Sequence, residues 1–183
     1  MDKTPKTALV SMILNMVFSV YHIVLGILTH SWWLFTVGFY YVILSIVRAI
    51  VLSKKEEKRS TAIFAGIMLM VLSLPLAGTV ILSFMKDRGT VFHEIIMITI
   101  ALYAFTKITL ASVKVITLRN ISLATAFVSI FSLQRSMLVS FEGMSESGIR
   151  MMNLATGSAV CVIVFLLGLN LLKKEMLLFK NIQ

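Results

Sequence analysis

From residue 7 to residue 47 the chain carries no charged side chain. As one helix, at about 1.5 Å per residue, this stretch would reach about 60 Å, twice the hydrocarbon core of a bilayer. It must therefore fold back, and Thr29, His30 and Ser31 are the polar cluster in its middle where it turns. The same alternation of long apolar runs and short polar breaks predicts six transmembrane helices, over 8–29, 31–53, 60–84, 93–115, 119–141 and 151–172. Each has about 20 residues or slightly more, enough to cross with some tilt while bonding its own backbone. The connections are short: the tight turn, 54–59, 85–92, a few residues near Arg119, and 142–150. The expected fold class is all-α, a polytopic membrane protein forming a single domain over 1–183. The apolar run after MDKTPK is too long for a signal-peptide core and is read as a retained first span.

The polar residues inside the spans fall on helical faces. In the first span Ser11, Asn15, Ser19, His22, Gly26 and Thr29 recur every three or four residues. Ser31, Gly38, Tyr41, Ser45 and Arg48 do the same in the second, and Thr99, Tyr103, Thr106 and Lys107 in the fourth. The fifth has Ser122, Thr125, Ser129, Ser132, Ser136 and Ser140. The third is more apolar, with a kink expected at Pro75, and the sixth has small residues at Ala155, Gly157 and Ala159. Two readings of the stripes stay open. They are packing seams, where small residues let backbones approach and hydroxyls bond back to the helix. Or spans 1, 2, 4 and 5 form an inner bundle around a polar pathway, with 3 and 6 flanking. A faint echo between spans 2 and 5, and between 3 and 6, has the form of an inverted repeat.

Composition fits this picture. The chain is 58% hydrophobic and 14% charged, against about 45–50% and 25% in soluble domains. The net charge of +9 is explained by topology. With the N-terminus inside, eleven basic residues fall on the inner side (Lys3, Lys6, Lys54, Lys55, Lys58, Arg59, Lys114, Arg119, Lys173, Lys174, Lys180) and three on the outer (Lys86, Arg88, Arg150). Both termini are therefore expected in the cytoplasm, with the chain integral to the inner or plasma membrane and in contact with anionic lipid. No nucleic-acid partner is expected. The single cysteine, Cys161, reads as an apolar filler.

The hairpin GILTHS resembles the first helical hairpin of the cation diffusion facilitator family, proton-coupled zinc and manganese exporters. Gly26, Leu28, Thr29 and Ser31 stand at the family's spacing, with His30 at its second glycine. The entry to the fifth span, Asn120-Ile121-Ser122-Leu123, is similar to the family's second such helix. The resemblance implies six spans, cytoplasmic termini and an inner bundle of spans 1, 2, 4 and 5. It places the family's metal ligands at Tyr40, Leu44, Phe131 and Arg135, none of which suits zinc. The family's cytoplasmic metal-binding domain is also missing, since about ten residues follow span 6. What it leaves is the membrane scaffold with the metal site erased.

Three cations remain inside the spans. Arg48 is expected to snorkel to inner lipid phosphates. Arg135, beside Gln134, could meet Glu94 from the outer side. Lys107 is deepest and has no acid at its depth, so either it is neutral there, or carbonyls, hydroxyls and Tyr103 solvate it, or an anion visits it. A cation at a helix centre costs ~2.5–3.5 kcal/mol and usually faces the bundle. The interior is thus cationic, the reverse of a metal exporter. Histidines 22, 30 and 93 are scattered and read as packing or interfacial groups. No catalytic grouping occurs, so neither an enzyme nor a cofactor is expected. The favoured function is transporter-like, for a small anionic or neutral solute and not a divalent metal. The candidate substrate-binding residues are Lys107, Arg135, Tyr103 and His22, with Asn15, Arg48 and Gln134. The alternative is a non-transporting membrane protein that binds lipid or a partner helix. Residual cation transport is a weaker third reading. A homodimer is expected from the small-residue faces of spans 3 and 6 and from the family resemblance.

Overall fold

The structure, a computed structural model, describes residues 3–53, 59–86, 93–110, 116–140 and 144–180. Among these there are six α-helices and no strand: α1 Lys3–Leu28, α2 Trp32–Ser53, α3 Arg59–Lys86, α4 Glu94–Leu110, α5 Ile116–Ser140 and α6 Glu146–Lys180. Five are long and apolar enough to cross a membrane, and α4 is a shorter apolar helix over its described part. The chain is a helical membrane protein. The side chains of most basic residues expected at the inner ends, Lys3, Lys6, Lys54, Lys55, Lys58, Arg59, Lys114 and Lys180, lie outside the described set, as do those of Lys86 and Arg88. Lys173 and Lys174 are exposed. At 35 residues, α6 is about 52 Å long and overruns the hydrocarbon core at both ends of its predicted span. α3 continues unbroken through Pro75.

The turn at 29–31 forms because α1 stops on a left-handed residue. His30 has φ 50°. Its N–H points to Ile27 O (3.4 Å), and that of Ser31 to Gly26 O (3.0 Å), which closes the helix end in a Schellman arrangement. Ser31 then opens α2, its carbonyl accepting Phe35 N–H at 3.2 Å. α6 begins on Ser145, whose Oγ accepts Gly148 N–H at 3.2 Å.

Three pairings build the bundle. α1 packs on α2, α4 on α5 and α3 on α6. A Cβ on Gly26 would meet Phe35 N at 2.7 Å, and one on Gly38 would meet Ser19 O at 3.2 Å. These glycines let α1 and α2 run backbone to backbone. Gly66 and Gly168 do the same for α3 and α6, where a Cβ on Gly168 would meet Gly66 O at 2.7 Å. α2 also touches α5, and α1 touches α4. The ring α1–α2–α5–α4 is therefore closed, with the α3–α6 pair against α2 and α5.

The two sides of α2 and α5 differ. The buried apolar core is supplied mainly by α2, α3 and α5, including Val37, Leu44, Leu69, Leu76, Ile121 and Val128. α1 adds no fully buried apolar side chain from its described residues. What it buries is Ser11, Asn15, Ser19 and His22. One face of α1 is thus docked by these polar groups with the half-buried Leu14, Phe18 and Leu25 beside them, while the other, with Ile13, Val17, Val20 and Val24, is exposed in the lipid-facing direction.

Candidate functional site

The α1 stripe predicted from spacing is interior from Ser11 to Gly26, whereas Thr29 at its end is exposed and its hydroxyl donates to Leu25 O. Facing it, α4 presents Tyr103 and Lys107 one turn apart, both buried. The two helices meet in two antiparallel rungs. Lys107 Nζ donates to Ser11 O (2.6 Å) and to Ser11 Oγ (2.9 Å). Tyr103 OH donates to Asn15 Oδ1 at 2.8 Å. The Tyr103 ring stacks on Phe18 (3.6 Å, 13°) and lies 5.2 Å from Lys107 Nζ.

Arg48 arrives at the same place from α2. Its Nη1 donates to Ser11 Oγ and its Nη2 to Ser122 Oγ at 2.6 Å. Only 1% of Arg48 is exposed, so it does not snorkel to lipid. It lies on the α2 face that also carries Tyr41 and Ser45, and hydroxyls from α1 and α5 replace the phosphates it was expected to seek. Ser11 therefore accepts from two cations, and the sequence pattern gave no hint of that meeting. Eight acidic residues occur in the chain. Three of them lie in described helices, Glu94 at the start of α4 and Glu146 and Glu175 in α6, and of these only the Glu146 side chain is described. Among the described residues no carboxylate bonds Arg48 or Lys107; the ion pair found there, Glu146 with Arg150 at 3.6 Å, lies at the start of α6.

Above the cation pair the polar column continues. Ser19 Oγ donates to Gly38 O at 2.9 Å. Ser129 Oγ donates to Thr125 O, so the 2.7 Å contact between Tyr41 OH and Ser129 Oγ is a bond donated by the tyrosine. His22 Nδ1 lies 2.8 Å from Phe18 O and must donate to it, since a carbonyl only accepts. Tyr41 meets the His22 ring edge-on, at 5.3 Å and 90°. Three buried nitrogens in this column have no hydrogen-bond partner among the described residues: Asn15 Nδ2, His22 Nε2 and Arg48 Nε. Native buried polar atoms are rarely left so.

Elsewhere the stripes are self-satisfied. Thr125, Ser129, Ser132 and Ser136 each bond the carbonyl four residues back. Thr99 and Thr106, expected on the inner face of α4, are half-buried and bond Ile95 O and Leu102 O instead. Their hydroxyls are satisfied within the helix, so the inner face is left to Tyr103 and Lys107.

The seven candidate residues do not form one site. Asn15, His22, Arg48, Tyr103 and Lys107 come together. Arg135 lies thirteen residues along α5 from Ser122, about 20 Å away. It is buried 5.3 Å from the Trp33 ring, which packs edge-on against Phe131. Gln134 is half-buried and makes no hydrogen bond among the described residues. The Glu94 side chain lies outside the described set, so its expected meeting with Arg135 does too. Tyr40, Leu44, Phe131 and Arg135 are all buried, and no three His, Cys, Asp or Glu residues cluster among the described residues. An apolar cleft of about 310 Å³ at the hairpin tip, lined by Gly26, Ile27, His30, Ser31, Trp32 and Phe35, opens far from the cations. Its walls offer little to orient a polar solute.

Gly157, read as part of a dimer face, is turned inward, where a Cβ would meet Val80 and Phe131. Ala155 and Ala159 are exposed. The close approach of Gly66 and Gly168 is likewise used within one chain. Comparison with protein-family models, with curated proteins and with solved structures finds no match for this chain.

Proposed function

We propose that the protein is a transporter-like membrane protein whose inner bundle binds a small anion at Arg48 and Lys107. One observation carries this reading: both cations are buried and converge on Ser11, with no described carboxylate to neutralise them. Buried charges ordinarily have partners. Hydroxyls and a carbonyl solvate these two groups but bring no negative charge to them. A small anion would complete the site, with Arg48 Nε and Asn15 Nδ2 as spare donors. The fully buried side chains of α1 are all polar, which favours movement as well as binding, although separating α1 from α4 would also unstack Phe18 from Tyr103. The pair would lie toward the cytoplasmic end, as the distribution of basic residues implies. The closed α1–α2–α5–α4 ring with α3 and α6 beside it is the arrangement implied by the cation diffusion facilitator resemblance, and on this reading the scaffold serves anions.

The experiment is flux into proteoliposomes with a panel of chloride, nitrate, formate, sulfate and phosphate. At least one should cross faster than in protein-free vesicles, and Lys107→Met should abolish the difference. No flux for any of them would overturn the transport reading. The second reading, a non-transporting protein that binds lipid or a partner helix, is favoured by the serines of α5 that bond back to their own helix. It predicts no flux and an unaltered partner interaction in Lys107→Met.

A further inference from the structure

His22 is enclosed, with 0% of its surface exposed. Its Nδ1–H is held by Phe18 O, so in the neutral ring the lone pair is on Nε2, and that nitrogen has no partner among the described residues. It lies on the same polar face of α1 as Ser11, eleven residues away and about 16 Å along the axis. The structure therefore places a proton acceptor with no described donor in the same buried column as a cation pair with no described carboxylate. We infer that Nε2 of His22 is a proton site linked to the anion site, so that a proton and a small monovalent anion bind together.

The linkage follows from charge. Tyr21 adjoins His22 on α1. Among the described side chains of the helices packed against α1, the charged or titratable groups of the inner face are Tyr41 and Arg48 of α2 and Tyr103 and Lys107 of α4. None is a carboxylate. A proton on Nε2 adds a third positive charge to a column that already holds two, and an anion at Arg48 and Lys107 offsets it. Each ligand therefore favours the other by the same factor. The joint event adds no net charge and turns Nε2 into a donor. This inference rests on the anion reading above, and its test separates the two.

The full chain is placed in nanodiscs with histidine rings labelled with ¹⁵N, and the His22 signal is identified by its loss in His22→Gln. It is titrated in sodium gluconate and in sodium nitrate at equal ionic strength, with nitrate binding followed separately by calorimetry. The titration midpoint should be higher in nitrate by about 0.7 pH unit, a fivefold linkage. The difference should vanish in Lys107→Met while His22 still titrates. Nitrate binding with an unmoved midpoint would overturn the linkage and leave the anion site standing, as would a His22 that never titrates. No heat with nitrate, chloride or formate would remove the anion site and the linkage together.

Discussion

Replacing Lys107 with methionine keeps the length of the side chain and removes the charge, so it isolates what the ammonium does. Three terms favour or oppose the change. A lysine in a membrane helix costs at most ~2.5–3.5 kcal/mol against an apolar residue, the figure for the centre, and less in the last turn of the described α4, where Lys107 lies. Two donors sharing Ser11 Oγ lie about 5 Å apart, so Arg48 and Lys107 repel by ~3 kcal/mol at an effective dielectric near 20. Against these stand the two bonds to Ser11, at 2.6 and 2.9 Å, and the contact with the Tyr103 ring. Hydrogen bonds within membranes average ~0.6 kcal/mol and reach ~1.7, and a desolvated cation–π contact adds ~2. The balance favours methionine by up to about 2 kcal/mol. Lys107→Met should therefore raise the resistance to unfolding, measured by reversible titration with dodecyl sulfate in mixed micelles, while abolishing anion flux. Stability gained with activity lost is the sign of a residue kept for function. A variant weakened by 1 kcal/mol or more would refute the reasoning, because it would show that the lysine is a neutralised strut.

Other consequences are equally direct. Gly168→Val should wedge α6 from α3, because even a Cβ meets Gly66 O at 2.7 Å; overpacking of this kind costs ~1–3 kcal/mol, read as a lower melting temperature. Gly78→Ala meets nothing within 4 Å and should stabilise α3 by about 0.8–1 kcal/mol in the same assay. His30→Val should cost ~1–2 kcal/mol, since a β-branched residue resists the left-handed conformation at φ 50°. His30→Gly should match or exceed the parent protein in melting temperature. Ser122→Ala removes a bond to the Arg48 guanidinium and should cost ~0.6–1.7 kcal/mol.

The pattern of spacing revealed a good deal of this molecule. Ser11, Asn15, Ser19 and His22 recur at helical intervals, and all four are buried on one face. The charge-free run and its single polar cluster located the turn at 29–31, because lipid admits no other place to break a helix. Periodicity names a face and not the neighbour across it. Arg48 was read as reaching for lipid because its depth was legible, whereas the hydroxyls of Ser11 and Ser122 belong to other helices and come near only through the fold. Thr99 and Thr106 misled for a related reason: a threonine can satisfy itself on the preceding turn, so its presence on a stripe does not require a polar partner. Among the small residues of α3 and α6, Gly66 and Gly168 meet inside one chain. Glycine spacing reports close approach without reporting whose backbone approaches.

The central claim is that the inner bundle encloses two cations that await an anion. Bromide is small, monovalent and visible by its anomalous scattering. Crystals of the protein grown in lipid and soaked in bromide should show a peak within hydrogen-bond reach of Lys107 Nζ and the Arg48 guanidinium, above Ser11. A peak found only at the membrane surface, or a carboxylate bonded to Lys107, would contradict the account.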